Sequence, residues 1–526
     1  MTKKQTATLS VLVLIIFALT LLVSKRLWFR LDLTKGKSYT ISAVSRNLHN
    51  EIPDQIRITY YLSDKLKSIH PLPGEIEDLL REYAGFSRGK IQFTVRDPAK
   101  AKLTEQVEQL GIQPQRIETV EQDQASVTMV YTGIVIEYLD EIDVLPVVFS
   151  LETLEYDLTS RIRSLVRGST RLLGVIVGDN PQRWNENYQL LQSAYMQAGY
   201  QLRLIAAGQE ISDSLPALLV LGGVESLDET ALYQIDRYIQ AGGKALFTVR
   251  GVHIELERGL EARLPQDGGL LDMLSSYGAA VLPEIVMDRP MLTMRYETRA
   301  ANGAPMLRIT RNPQWIRVLE ENGNPAHPVS ANFGGLDLYW ANPIEINAPN
   351  GVEADYLFTS TGEAWSMREP FFTNPEIGYM LERDAAQTTG LKTLGLSLTG
   401  VFPSWFADKP MPQEDDNFPA MPAQPKPARL IVVGETEFAT SFMTVTNGQR
   451  NLDFLIQAAD WLCNDDDIIQ IRSKASQSGR LDKIIDTGKK ASAMKFAQIV
   501  NVFVVPLLVI MAGLFFALRR RKGALK

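Results

Sequence analysis

Cysteine is almost missing from these 526 residues. Cys463 stands alone, so no intrachain disulfide can form, and without a C-x-x-C pair thiol–disulfide chemistry is excluded. Packing alone must hold the folded part together, which fits a bacterial envelope better than a eukaryotic secretory route. Histidine is nearly as scarce, and His49, His70, His253 and His327 lack the spacing of a metal-ligand set. The run Asp465-Asp466-Asp467 reads as a solvated helix end. A phosphate-binding loop is lacking too: Gly36-Lys37-Ser38 ends like one, but the leading glycine would fall at position 31, which is Leu31. Any ATP hydrolysis therefore belongs to another chain, and the sequence calls for no cofactor.

Acidic residues are absent from both ends. Residues 1–30 carry Lys3, Lys4, Lys25, Arg26 and Arg30, and residues 519–526 carry Arg519, Arg520, Arg521, Lys522 and Lys526. The remaining chain has 44 basic against 61 acidic groups. Nucleic-acid recognition needs a basic surface to displace phosphate counterions, so an acidic body argues against it.

Next to these basic ends lie two long apolar runs. Residues 7–24 hold 18 residues without a charge, near the lower limit for crossing a hydrocarbon core of about 30 Å. The next residues, Lys25-Arg26-Leu27-Trp28, do not resemble a signal-peptidase site, so an uncleaved anchor is expected. Residues 496–518 form a second run of 23, in which Pro506 and Gly513 are tolerable where helices pack together. The cations Arg519 to Lys522 orient this span with its end in the cytoplasm. Two spans then put both termini in the cytoplasm, with 1–6 and the tail 519–526 inside and the bulk of the chain on the periplasmic side of the inner membrane. Lys25, Arg26 and Arg30 oppose that orientation, and the C-terminal cluster decides it. Within the spans Gln498, Asn501 and Gly513 are polar or small positions suited to contact a membrane partner besides lipid.

The middle reads as α/β in two parts. For 31–168 the expected order is β-α-β-α-β-β, from strands at 57–63 and 90–98, a hairpin of 126–139 with 143–150, and a closing helix over about 152–166. Ile76, Leu79, Leu80 and Tyr83 supply the i, i+3, i+4, i+7 stripe of the first helix. This order is compatible with a thioredoxin-like layer. From 170 to 475 buried runs at 171–178, 216–223, 244–249 and 428–434 alternate with helices, which predicts a parallel sheet of flavodoxin or amidotransferase-like type. Ser226 and Glu229 have the spacing of a capping box, and Gly242 stands where that helix should stop. Residues 403–428 contain seven prolines and read as an exposed loop. Residues 476–495 are a membrane-proximal linker.

Gly222-Gly223, after a buried strand, can offer backbone N–H groups to an oxyanion. In an amidotransferase-like enzyme the nucleophile would follow the next strand, yet Val249-Arg250-Gly251 contains neither serine nor cysteine. Arg250 either binds an anionic ligand or pairs with an acid. Ser397 does not sit in a G-x-S-x-G elbow.

Several strings in order resemble the GldG-like family of gliding-associated ABC transporter components. They are Leu31-Asp32-Leu33-Thr34, Tyr39-Thr40-Ile41-Ser42, Leu80-Arg81-Glu82-Tyr83, Arg96-Asp97-Pro98 and Tyr131-Thr132-Gly133-Ile134-Val135-Ile136. Leu154-Glu155-Tyr156, Gly242-Gly243-Lys244, His327-Pro328, Val433-Gly434 ahead of Phe438, and Ile471-Arg472 follow. The resemblance implies a noncatalytic extracytoplasmic subunit working with an ABC-2-type permease and a separate ABC ATPase. It brings no catalytic residues and leaves the ligand open. The competing classes are an envelope hydrolase or amidotransferase-like enzyme, and a membrane-tethered ligand sensor, for which a tail of eight residues leaves no signalling domain.

Overall fold

A computed structural model describes residues 40–471, apart from 122–123, 150, 152–153, 169–170, 257–258, 300–302, 332, 376–380, 383–384, 413–418, 447 and 464–470. Both expected spans, with Gln498, Asn501 and Gly513, lie outside the described residues, as do 476–495, Gly36-Lys37-Ser38 and Asp465-Asp466-Asp467. Among the described residues no helix is long and apolar enough to cross a membrane. The chain divides into two compact units, one of them Ile41–Ser476, and the description that follows concerns that unit.

The first layer begins with helix α1 (Ala43–Glu51), capped by the Ser42 hydroxyl, which accepts from the Ser45 amide. Strand β1 (Ile56–Leu62), helix α2 (Leu72–Phe86) and strand β2 (Ile91–Arg96) follow. Strands β1 and β2 are parallel, and α2 supplies the crossover such a pair needs. Its buried stripe of Ile76, Leu79, Leu80 and Tyr83 lies on the sheet core. Next come the hairpin β3 (Gln115–Glu121) with β4 (Gln124–Val130), strands β5 (Thr132–Tyr138) and β6 (Glu141–Leu145), and helix α3 (Leu154–Arg167). The sheet order is β2-β1-β5-β6, with β5 antiparallel to both neighbours.

The run 126–139, expected as one strand, is two strands in different sheets. The Ser63 amide donates to the Tyr131 carbonyl at 3.0 Å, and the Tyr131 amide donates to the Ser63 hydroxyl at 2.9 Å. Those bonds take Tyr131 out of the ladder, so β4 ends before it and β5 starts after it. Strand β6 stops at Leu145 rather than 150, because Pro146 has no N–H to continue the ladder.

The larger part is built on a seven-stranded sheet. Its elements are β7 (Leu172–Val177), α4 (Gln189–Gln197), β8 (Gln201–Leu204), β9 (Ala217–Leu221), α5 (Glu229–Gln240) and β10 (Lys244–Thr248). After them come α6 (Leu270–Tyr277), β11 (Met291–Arg299), β12 (Pro305–Val318) and β13 (Leu336–Tyr339). Strands β14 (Val352–Thr359), β15 (Thr393–Gly400) and β16 (Ala428–Val433) precede helix α7 (Gln449–Cys463). The order is β14-β15-β16-β10-β9-β7-β8. From β8 to β16 every pair is parallel, and β15 and β14 add an antiparallel edge. Strands β11 to β13 form a separate three-stranded sheet with a long hairpin.

Two local expectations need correction. Helix α5 is capped by Asp228, which accepts from the Ala231 amide at 2.9 Å, whereas Ser226 donates to the Gly178 carbonyl. The Pro-rich stretch is not simply an exposed loop. Phe402 and Phe406 are buried, edge-on to Tyr277 and Tyr233. Asp236 of α5, fully enclosed, accepts from the Ser404 hydroxyl (2.7 Å), the Phe406 amide (3.1 Å), the Tyr277 hydroxyl (2.7 Å) and the Gln240 amide (3.0 Å). The far end of the stretch returns to the same helix through Lys426 N–H to the Gln240 carbonyl. Aromatic anchors and one buried carboxylate thus pin the start of a stretch whose described residues are otherwise mostly exposed loop, as expected.

Candidate functional site

The parallel strands are arranged 8-7-9-10-16, so the connections leaving β7 and β9 run to opposite sides of the sheet. Such a reversal opens a crevice at the carboxyl ends of the strands, where ligands of open α/β sheets bind. Here β7 runs into Gly178-Asp179, β9 into Gly222-Gly223, β10 into Val249-Arg250, and β16 into Gly434-Glu435-Thr436-Glu437. Between them lies a cleft of about 750 Å³, also lined by Arg183, Tyr188, His253 and Phe442.

The glycines let the strand ends meet. A Cβ on Gly178 would lie 2.2 Å from the Gly223 Cα, and one on Gly222, whose φ is +71°, 2.4 Å from an Asp179 carboxylate oxygen. Asp179 fills that space and accepts from the Gly223 amide at 3.3 Å, while the Gly222 amide donates to the Thr248 carbonyl at 2.9 Å. Both N–H groups proposed for an oxyanion are thus committed to the protein.

Arg250 lies between two acids. Its Nη2 is 2.9 Å from Asp179 Oδ2 and its Nη1 is 3.6 Å from Glu437 Oε1. Of the two roles open to it in the sequence, pairing with acids is the one observed, and the pairing happens inside the crevice. Glu435 is fully enclosed behind it and accepts the amides of Glu437 and Phe438. Burial, reinforced by the neighbouring Glu437, pushes the Glu435 carboxyl well above the usual range. Burial raises Glu437 as well, against the opposing charge of Arg250. Two carboxyls, Asp179 and Glu437, therefore share one guanidinium, while Glu435 is held by backbone amides.

Asp179, Glu435 and Glu437 escaped the sequence reading because single acids have no period. The available signal was position: Asp179 and Glu435 each follow a glycine at the end of a continuous apolar run, and Glu437 lies two residues further on. Arg250 lines the crevice, whereas Gly222 packs against Asp179 and Gly223 against Leu227 and Gly178, and neither glycine lines it. Cys463, at the far end of α7, has its thiol pushed up to about 12 by burial, which leaves it protonated and a poor nucleophile.

Ser397 on β15 meets His327, with Oγ 3.1 Å from Nε2. The Val329 amide donates to His327 Nδ1 at 3.2 Å, so that nitrogen is an acceptor and the ring proton sits on Nε2. His327 then donates to Ser397 and cannot take its proton. Burial lowers the ring to about 4, and its tilted contact with Trp461, 5.1 Å between ring centroids, completes a packed, structural pair. Among the described residues no three His, Cys, Asp or Glu side chains form a metal-binding group.

The fold is mixed α/β, with a polar crevice at the switch point of its larger sheet. Residues 170–458 match the family described as "ABC-type uncharacterized transport system", which covers more than half of the chain. The chain belongs to that family of ABC transporter auxiliary components. Residues 35–137 match a domain of unknown function, DUF7088. An uncharacterized protein of Borreliella burgdorferi is 24% identical over 508 residues, covering 94% of each chain. Among solved structures, the mmIFT52 N-terminal domain is similar at 12% identity and a TM-score of 0.32, covering 56% of this chain and 98% of that one. The exo-beta-1,4-mannosidase Op5Man5 from Opitutaceae bacterium strain TAV5 reaches 9% and 0.23, covering 74% and 49%. Scores this low carry no argument about fold.

Proposed function

We propose that this chain is a noncatalytic, membrane-anchored extracytoplasmic subunit of an ABC-2-type transporter, which binds or couples substrate for a separate permease and ATPase. The observation that carries the noncatalytic part is the crevice. Where an amidotransferase-like enzyme would hold its nucleophile, Arg250 is pinned between Asp179 and Glu437. Neither glycine amide is free, and Ser397 faces a histidine that donates to it.

Anchoring at both ends is supported by an apolar cluster that brings the two ends of the described chain together. Ile471 forms a buried cluster with Tyr156, and Val44 packs against that cluster. The order β2-β1-β5-β6 of the first sheet supports a thioredoxin-like unit, and the parallel order of the second supports a flavodoxin or amidotransferase-like one. A reporter active only in the cytoplasm tests the topology. Fused after Ala428 it should be silent, and fused after Lys526 it should be active. Activity at both positions rejects the two-span arrangement.

A further inference from the structure

We propose, resting on the transport role above, that the crevice at the strand-order reversal binds an uncharged, hydroxyl-rich ligand of the size of a sugar. The first observation is place: loops that follow β7, β10 and β16 line a cleft of about 750 Å³, and small-molecule sites run from about 300 to 1,000 Å³. Ile254, Leu256 and Phe442 line it together with the polar groups. A bare ion has no use for such apolar contacts, whereas a sugar ring has C–H groups to rest on them.

The second is Tyr188. Its side chain lines the cleft although it is only 2% exposed, and its hydroxyl has no hydrogen-bond partner among the described residues. The Thr436 hydroxyl and Arg250 Nε also lack partners, but both are sealed inside the wall. The Tyr188 hydroxyl is not sealed, and it opens on the cleft near Glu437, Asp179 and Arg250, the charges that act on it. Burial, reinforced by Glu437 and Asp179 against Arg250, pushes the phenol well above its ordinary value, so it stays protonated. A nearly enclosed hydroxyl that faces open space, with no protein group to bond to, is a seat for a ligand oxygen.

The third is that the charges around the cleft are matched and the unmatched groups are neutral. Arg250 is held by Asp179 and Glu437, Arg183 by Glu186 at 3.0 Å, and Glu255 meets Arg263 at 3.5 Å. The side-chain amides of Asn180 and Asn187, by contrast, line the cleft without a hydrogen-bond partner among the described residues. Amides and a phenol each donate and accept, which suits ligand hydroxyls that do the same. An anion entering here would face Asp179 and Glu437. A cation would have to compete with Arg250 for those two carboxyls.

Calorimetry on the full-length chain in nanodiscs at pH 7 tests this with glucose, galactose, mannose and N-acetylglucosamine, and with glucosamine, glucuronate and glucose 6-phosphate as charged counterparts. At least one neutral sugar should bind saturably, and more tightly than every charged one. Tyr188→Phe removes only the hydroxyl, so it should weaken that sugar about fivefold while leaving the melting temperature unchanged. Asn187→Ala repeats the test at a second group and should weaken it about threefold. The assignment is overturned if no neutral sugar binds, if a charged counterpart binds more tightly, or if either variant binds the sugar unchanged. Copurification with a permease tests the transport role separately and is indifferent to these outcomes.

Discussion

Two arginines stand at opposite ends of the seven-stranded sheet and serve different ends. Arg171, just before β7, donates to the Ser160 hydroxyl of α3 and to the Ala198 carbonyl beyond α4, lies over the Tyr200 ring, and is 3.9 Å from Asp460 of α7. Tyr200 in turn donates to Asp460 at 2.6 Å. Every partner is a fixed element of the fold, so this guanidinium fastens the first layer to the sheet and to the last helix. Arg250, just after β10, has carboxyls in excess and an open cleft beside it. A buried cation with fixed partners on all sides marks structure, whereas one that borders unfilled polar space marks a site.

The contrast is broken first at the closed end. Arg171→Met removes the cation beside Asp460 together with the bonds to Ser160 and Ala198, and should cost about 3–5 kcal/mol in denaturant unfolding. The pH dependence of stability separates the two ends by sign. His327 is held at about 4 in the folded chain against 6.5 unfolded, so the native state binds fewer protons there. Its contribution is complete above pH 6.5 and is lost as pH falls towards 4, amounting to about 3 kcal/mol. His49 in the first layer, lowered by burial to about 4, adds to the same acid limb. Glu437 behaves oppositely: its raised value means the native state binds more protons, so its own contribution is fully present below pH 4.5 and is lost as pH rises from there through the raised folded-state value. His327→Gln should flatten the acid limb and Glu437→Gln the limb above pH 4.5. If both variants flatten the same limb, the contrast is wrong.

A smaller effect is expected from Arg250→Met. The side chain is 16% exposed, and Glu437 can take up a proton when the cation is lost, so about 1–2 kcal/mol is expected. A cost equal to that of Arg171→Met would make Arg250 another fastening. Ser397→Ala is the mildest change, at or below about 1 kcal/mol for one hydrogen bond. Because His327 donates to that hydroxyl, the alanine variant should leave any transport activity intact. Loss of activity with unchanged stability would reopen the hydrolase alternative.

Legibility in the sequence followed periodicity. The α2 stripe of Ile76, Leu79, Leu80 and Tyr83, and the apolar runs at β7, β9, β10 and β16, declare themselves because each repeats one environment over several residues. Gly222, Gly223 and Arg250 were found because strand ends can be counted. Asp179, Glu437 and Asp236 were not, since their roles depend on partners 71, 187 and 168 positions away along the chain, Arg250 for the first two and Ser404 for the third. Two misreadings share a cause. The split at Tyr131 depends on Ser63, and the packing of residues 402–406 depends on Asp236, so in both a distant polar side chain overrides local composition.

The central claim, that this chain works as the auxiliary subunit of an ABC transporter, is tested most directly by isolating it from its own membranes in mild detergent. The account predicts that an ABC-2-type permease and an ABC ATPase copurify in constant proportion, and that replacing Gln498 and Asn501 by leucine weakens the association while the folded part stays intact. Recovery of the chain alone, under conditions in which the permease and ATPase remain together without it, would contradict the account.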